Sequence, residues 1–67
     1  MERRDVVIYE FATGKIASIA GRNLKPEGRH NSVESRIDCI LPRLNDAHGV
    51  TDVEAGKYNV GDILKEE

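Results

Sequence analysis

The chain has 67 residues, of which 33% are charged and 39% are hydrophobic, and its formal net charge is −2. This length predicts one small domain over residues 1–67 and excludes long repeat arrays, multidomain enzymes and membrane-spanning bundles. Val, Ile, Leu and Phe account for 17 of the 67 residues, which is typical of folded rather than disordered chains.

Domains of this size rarely bury enough apolar surface alone, and they often add a disulfide, a metal ion or a second subunit. Cys39 is the only cysteine, and no histidine lies at a metal-ligand spacing from it. Self-association is therefore the expected supplement, with no cofactor and no metal. The single cysteine and the lack of an apolar export segment after Met1 favour a cytoplasmic protein.

Residues 5–11 predict a β-strand, because they are rich in β-branched and aromatic side chains. Apolar residues alternate onto both of its faces, so the strand is expected to be covered on both sides or to pair across an interface. Gly14 favours a hairpin turn, and residues 15–20 predict the returning strand. Residues 21–31 contain two glycines and a proline, and they predict a polar loop.

Residues 32–47 predict one amphipathic helix, capped by Asn31 or Ser32 and interrupted at Pro42. Proline lacks an amide proton, so the helix is expected either to kink at Pro42 or to end just before it. Its apolar residues recur at helical spacing, namely Val33, Ile37, Ile40, Leu41 and Leu44.

Residues 50–53 and 57–60 predict two short strands near the end of the chain. In chain order the elements define a ββαβ-like α+β fold. It consists of an N-terminal β-hairpin, one amphipathic helix and one to three short C-terminal strands.

The segment from Tyr9 to Ile16, YEFATGKI, resembles a hairpin of short phage and prophage proteins. In those proteins a Tyr and a T-G-x-I turn open a small β domain, and some of them are tail-associated. As a whole, the chain is similar to small single-domain bacterial proteins of uncharacterised families. Neither resemblance implies a catalytic or a binding residue.

Charge is unevenly distributed. Residues 15–43 carry six basic and three acidic side chains, whereas residues 44–67 carry two basic and six acidic ones. These halves are expected to face each other, within a chain or across a dimer. The sharper alternative is that the basic part contacts an anion or a nucleic-acid backbone through Arg22, Lys25, Arg29, His30 and Arg36.

Few side chains are placed to carry out chemistry. Cys39 is expected to be half-buried in the middle of the helix with a core role. His48 is expected to cap the end of the helix. Asp52 and Glu54 fall on one strand face, where paired carboxylates either are solvated or hold a metal ion. We therefore do not expect an enzyme.

The sequence favours a non-enzymatic, self-associating interaction module that forms a homodimer. The hairpin is a candidate for exchange between chains through the loop at residues 21–31. The alternatives are a weak nucleic-acid or anion-binding domain over residues 22–36, docking to another protein and, remotely, a small enzyme. No membrane partner is expected. The candidate residues for self-association are Val7, Tyr9, Phe11, Ile37, Ile40, Leu41 and Leu44.

Overall fold

A computed structural model describes residues 3–25 and 32–65 of the chain. In these residues the strands form an antiparallel sheet in the order β2-β1-β3, which confirms the predicted α+β fold with an N-terminal hairpin. The elements are strand β1 (Arg4–Glu10), strand β2 (Ile16–Leu24), helix α1 (Val33–Ile40), a 3₁₀ helix (Leu41–Arg43) and strand β3 (His48–Glu54).

The turn between β1 and β2 is closed by local hydrogen bonds. Gly14 has φ 76°, a left-handed conformation that glycine adopts without a Cβ penalty. Its N–H donates to the Glu10 carbonyl at 2.8 Å, and the Thr13 hydroxyl donates to the Glu10 carboxylate at 2.8 Å. The hairpin predicted around Gly14 is therefore confirmed.

Strand β2 is longer than its sequence predicts. It continues to Leu24, so residues 21–24 belong to a strand and the prediction of a loop there is wrong. Asp5 accounts for part of this difference, because its carboxylate accepts a hydrogen bond from the Asn23 N–H and holds the end of β2 against β1. Residues 26–31 of the predicted loop lie outside the described residues.

The pairing of β2 with β1 contains irregularities at three places. One of them separates the Ile8–Ser18 pair from the Tyr9–Ile16 pair, where β2 uses one more residue than β1. An extra residue of this kind reverses which face the side chains on its far side point to. Ile19 consequently packs on the same face as Ile16, although an unbroken strand would place them on opposite faces.

The sheet is covered on both faces within the described chain. One face carries the buried cluster of Val7, Ile16 and Val53, with Tyr58 and Leu64 of the C-terminal segment packed against it. Helix α1 covers the other face, beside Ile8. Strand β1 is thus the central strand, covered on both sides by its own chain, and both Val6 and Val7 are fully buried.

The helix is shorter than the predicted range of 32–47. It ends at Ile40, and Pro42 lies in the 3₁₀ helix that comes next. Pro42 has no N–H to continue an α-helical ladder, which is the physical reason for the change. Of the two predicted caps, Ser32 is the one used, because its side chain accepts the Ser35 N–H at 3.2 Å.

The C-terminal segment, residues 55–65, forms turns in place of the strand predicted at residues 57–60. It crosses the buried cluster, pairs with the outer edge of β2 at Ile16, and forms a bridge between Ile63 and Lys15, the residue before β2. The Ile16 N–H donates to the Asp62 carbonyl at 2.8 Å, and the Gly61 N–H donates to the Ile16 carbonyl at 2.9 Å. This segment therefore closes one side of the sheet.

Strand β3 includes the predicted range of 50–53 but begins earlier, at His48. His48 therefore starts a strand and does not cap the helix, contrary to the prediction. Its Nδ1 lies 2.8 Å from the Asn45 side-chain oxygen, which also accepts the Ala47 N–H at 2.9 Å. Asn45 thus organises the turn into β3.

Candidate protein-docking edge

The two edge strands of the described sheet differ in how they are protected. Strand β2 is irregular at three places and is paired with the C-terminal segment at Ile16. Strand β3 pairs with β1 without any register shift, from Arg4–Glu54 to Glu10–His48. Its seven residues include neither proline nor lysine. Bulges, prolines and lysines are among the devices by which natural sheets blunt an edge, so β3 is the less protected of the two edges within the described residues.

The backbone groups of β3 that face away from β1 are defined by the hydrogen bonds at its ends. The Phe11 N–H donates to the Ala47 carbonyl at 3.0 Å, and the Ala55 N–H donates to the Arg3 carbonyl at 3.0 Å. Hydrogen-bonded pairs alternate along an antiparallel ladder, so the odd-numbered residues of β3 bond to β1. The outward N–H and C=O groups belong to His48, Val50, Asp52 and Glu54. At the two ends of the strand, the His48 N–H donates to the Asn45 carbonyl at 3.4 Å and the Glu54 carbonyl accepts the Lys57 N–H at 3.1 Å. A second chain would therefore pair mainly with the middle of the strand, at Val50 and Asp52.

One outward-facing residue is held by an ion pair. The Arg4 Nε donates to Asp52 Oδ2 at 2.8 Å, and the Arg4 Nη2 lies 3.4 Å from the Asp52 carbonyl oxygen. The two side chains are 29% and 33% exposed, and a solvated pair of this kind contributes about 0–1 kcal/mol. A carbonyl oxygen has two lone pairs, so the Asp52 carbonyl still has room for a second donor.

A groove of about 210 Å³ adjoins the same edge. Thr51 and Val53 line it from β3, and Tyr58 and Leu64 line it from the C-terminal segment. The Tyr58 hydroxyl donates to the Lys65 carbonyl at 3.4 Å. This bond joins two residues of the C-terminal segment that line the groove. Five charged residues line it as well, namely Arg4, Asp52, Glu54, Lys57 and Lys65. A chain added beside β3 would therefore meet both outward backbone groups and a mainly polar groove.

One member of the predicted acidic pair is engaged in an ion pair. Asp52 and Glu54 share one face of β3, as the alternation predicts, but Asp52 binds Arg4. In the part of the chain that the structure describes, no group of three or more potential metal ligands comes together.

The residues predicted for self-association differ in accessibility. Val7 is fully buried in the core, whereas Phe11 and Leu41 are 59% and 52% exposed. The Phe11 ring meets the Tyr9 ring edge-on at 5.5 Å and lies where a Cβ on Gly49 would come within 2.6 Å of it. The Phe11 ring is therefore exposed on one side and packs against its own chain on the other. The remaining candidates are half-buried: Tyr9, Ile37, Ile40 and Leu44.

The predicted anion-contact residues are only partly described. Arg22, Lys25 and Arg36 are exposed, and the Arg36 Nη2 donates to the Ala20 carbonyl at 3.2 Å. Arg36 therefore also links α1 to β2. Arg29 and His30 lie outside the described residues, so a joint basic site remains a prediction.

Cys39 is exposed, so its predicted half-buried core position is wrong. The buried residue of the helix is its first, Val33, and Cys39 lies near the other end of the helix, beside a cavity shared with the sheet.

The sequence also did not single out Asp5, which is 1% exposed. Its carboxylate oxygens accept the N–H groups of Asn23 at 2.6 Å and Gly56 at 3.1 Å. The signal available in the sequence was the position of this charged residue directly before Val6 and Val7, two apolar residues of a predicted strand.

Comparisons with known proteins return no family. No family model, no curated protein and no solved structure matches the chain. Within residues 3–25 and 32–65, no helix has the length and apolar character needed to cross a membrane.

Proposed function

We propose that this chain is a non-enzymatic interaction module that forms a homodimer by pairing its β3 with the β3 of a second copy. The supporting observation is the regular outer edge of β3, which carries no bulge over its described length. Two such edges would join into one continuous antiparallel sheet. The small size of the domain favours this arrangement, because a second subunit adds burial that a chain this short rarely achieves alone.

A two-fold axis at Thr51 gives the most favourable register. Residues that face outward must oppose each other, so Val50 would lie opposite Asp52 of the second copy, and His48 opposite Glu54 of the second copy. Like charges directly opposite each other on two strands destabilise a sheet, and this register opposes none among these residues. An axis at Asp52 would oppose two aspartates, and an axis at Val50 would oppose Glu54 to Asp46.

The first test is the solution mass, measured by light scattering after gel filtration with reductant present. The wild-type chain of 7.5 kDa is expected to elute with twice that mass. Val50→Pro removes an outward N–H but no bond to β1, and proline is tolerated on an edge strand when its N–H faces solvent. This variant is expected to be monomeric and folded.

Val50→Ala is the matched control, because it loses the same valine packing and keeps the N–H. It should remain dimeric. A wild-type chain that stays at 7.5 kDa up to millimolar concentration, or a Val50→Pro variant that dimerises as well as Val50→Ala, would contradict the proposal.

The register has its own test. In a Cys39→Ser background, Thr51→Cys would place two thiols across the axis at a pair without backbone hydrogen bonds. The Cα atoms of such a pair lie about 4.5 Å apart, within the range that a disulfide spans. Mild oxidation should link this variant into a covalent dimer and leave a Glu54→Cys control unlinked. Preferential linking of Glu54→Cys would contradict the register.

Hairpin exchange through residues 21–31 is a rival form of the homodimer. A dimer mixed from isotopically labelled and unlabelled chains distinguishes the two forms. Pairing of β3 strands predicts intermolecular contacts near Thr51, whereas exchange predicts them along β1 and β2.

We further propose a cytoplasmic location, because a single exposed cysteine suits a reducing compartment.

The nucleic-acid or anion alternative is supported by the exposure of Arg22 and Lys25 at the end of β2. Phosphate contacts make binding strongly dependent on salt. Titration with DNA and RNA at low salt should therefore shift the amide signals of these residues, and titration without any shift would remove this alternative.

A further inference from the structure

A cavity of about 280 Å³ lies between α1 and the sheet, on the face opposite the buried cluster. Two arginines line it from the helical side, Arg36 and Arg43, and none of the described residues around it carries a carboxylate. The rest of the lining is apolar or weakly polar, namely Ile8, Ala20, Cys39, Ile40 and Leu44.

The cavity lies where the helix ends. Helix α1 stops at Ile40, a three-residue 3₁₀ helix follows it, and Ile40, Arg43 and Leu44 all line the cavity. Ile40 and Leu44 remain half-buried, and Ala20 is too small to fill the space beneath them. An apolar guest that covers these side chains would remove apolar surface from water, which is favourable.

We propose that this cavity binds an amphiphilic carboxylate, such as a medium-chain fatty acid. The acyl chain would lie along Ile8, Ile40 and Leu44. The carboxylate would bind at the rim, where a guanidinium offers a planar pair of donors matched to its two oxygens. The cavity volume lies close to the lower end of about 300–1,000 Å³ for small-molecule sites.

Both arginines have N–H groups that could bind a carboxylate. Arg36 uses Nη2 on the Ala20 carbonyl at 3.2 Å, but a guanidinium has five N–H groups. Arg43 is exposed, at the end of the 3₁₀ helix. Two cations without a nearby carboxylate in the lining favour an anionic head group over a cationic or neutral one.

This site is independent of the proposed dimer edge. None of the described lining residues belongs to β3, so loss of the dimer in Val50→Pro leaves the prediction intact. Failure of one proposal and failure of the other are therefore distinguishable.

Cys39 provides a built-in reporter, because it lines the cavity and is the only thiol of the chain. The full chain would be treated with neutral iodoacetamide in the presence of decanoate below its micellar concentration. Decanoate is expected to slow alkylation of Cys39 at least fivefold and to shift the amide signals of Ala20 and Ile40. Decyltrimethylammonium, which has the same tail and the opposite charge, is expected to do neither.

Two variants test the assignment of head and tail. Arg43→Gln should weaken decanoate binding about tenfold, whereas Lys15→Gln, which removes a positive charge outside the cavity, should leave the affinity unchanged. Ala20→Leu should fill the cavity and abolish protection of Cys39. The amide spectrum of Ala20→Leu shows separately whether this variant keeps the fold. If the variant does not fold, Arg43→Gln alone tests the proposed binding site.

Three results would overturn the proposal. One is the absence of protection at any premicellar concentration of decanoate. Another is equal protection by the cationic amphiphile, which would indicate adsorption to apolar surface alone. The third is an equal loss of affinity in Arg43→Gln and Lys15→Gln, which would indicate attraction by net charge without a site.

Discussion

Asp5 is the clearest case of a single residue that holds distant parts of this chain together. It is 1% exposed, and its two oxygens accept N–H groups from the end of β2 and from the turn after β3, at Asn23 and Gly56. Both donor residues have positive φ, 57° at Asn23 and 80° at Gly56, so the backbone at each of them departs from regular strand geometry. A buried carboxylate is tolerated here because backbone donors replace its water.

Replacing Asp5 by Asn should reduce the free energy of unfolding by about 2–3 kcal/mol, because hydrogen bonds to charged groups contribute about 1.5–3 kcal/mol. An amide has one acceptor oxygen, so one of the two backbone donors would face an NH₂ group instead. Urea unfolding at a fixed protein concentration measures the change.

Asp52→Asn is the control for Asp5→Asn, since it removes a carboxylate from a partly solvated ion pair. It should cost less than about 1 kcal/mol. Equal costs for the two substitutions would mean that the buried contacts of Asp5 carry no special weight.

At the scale of elements, helix α1 depends on its surroundings. It has eight residues, and isolated helices below about 12–15 residues are marginal in water. Ser32 satisfies one free N–H at its start, and the 3₁₀ helix at Pro42 ends it. The predicted stripe of apolar residues is confirmed for Val33, Ile37 and Ile40, which lie in the helix and are buried or half-buried. It is wrong for Leu41, which is 52% exposed in the 3₁₀ helix, and Leu44 comes after a turn that the spacing alone does not reveal.

Ser32→Ala should destabilise the helix by about 1 kcal/mol, the usual cost of losing a side-chain N-cap. Amide hydrogen exchange measures this locally. Relative to the wild type, exchange in α1 of Ser32→Ala is expected to become faster, whereas exchange in β1 is expected to change less.

Ser35→Ala serves as the control for the cap, because the Ser35 contact to Ser32 is made by its backbone N–H. It should leave exchange in α1 nearly unchanged. If both serines behave alike, the cap is not the contact that stabilises the start of the helix.

At the scale of the whole molecule, the C-terminal segment completes the fold. It starts at the end of β3, crosses the buried cluster and reaches the turn before β2, where the Leu64 N–H donates to the Gly14 carbonyl at 2.7 Å. Tyr58 and Leu64 pack against the cluster. These contacts join positions near both ends of the chain, which nothing local in the sequence specifies.

Leu64→Ala should lower the free energy of unfolding by about 1–2 kcal/mol, somewhat below the 2–5 kcal/mol typical of a fully buried leucine, since Leu64 is only half-buried. Thermal unfolding and urea unfolding both report the change.

The neighbouring Ile63→Ala is the matched control, because Ile63 is 49% exposed. It should cost less than about 0.5–1 kcal/mol, as exposed substitutions usually do. A reversed order would show that the segment docks through its other side.

The sequence by itself determined the hairpin at Gly14, the single helix with its cap near Ser32, and the apolar character of both faces of β1. Those features depend on residues close together in the chain, where periodicity, turn chemistry and capping act directly. Only the tertiary structure decided that β2 extends to Leu24, that Cys39 is exposed and that Asp5 binds Asn23 and Gly56. It also decided that β3 pairs with β1 in a regular register whereas β2 does not. These features depend on bulges and on contacts between distant residues, whose free energies arise only when the chain is folded.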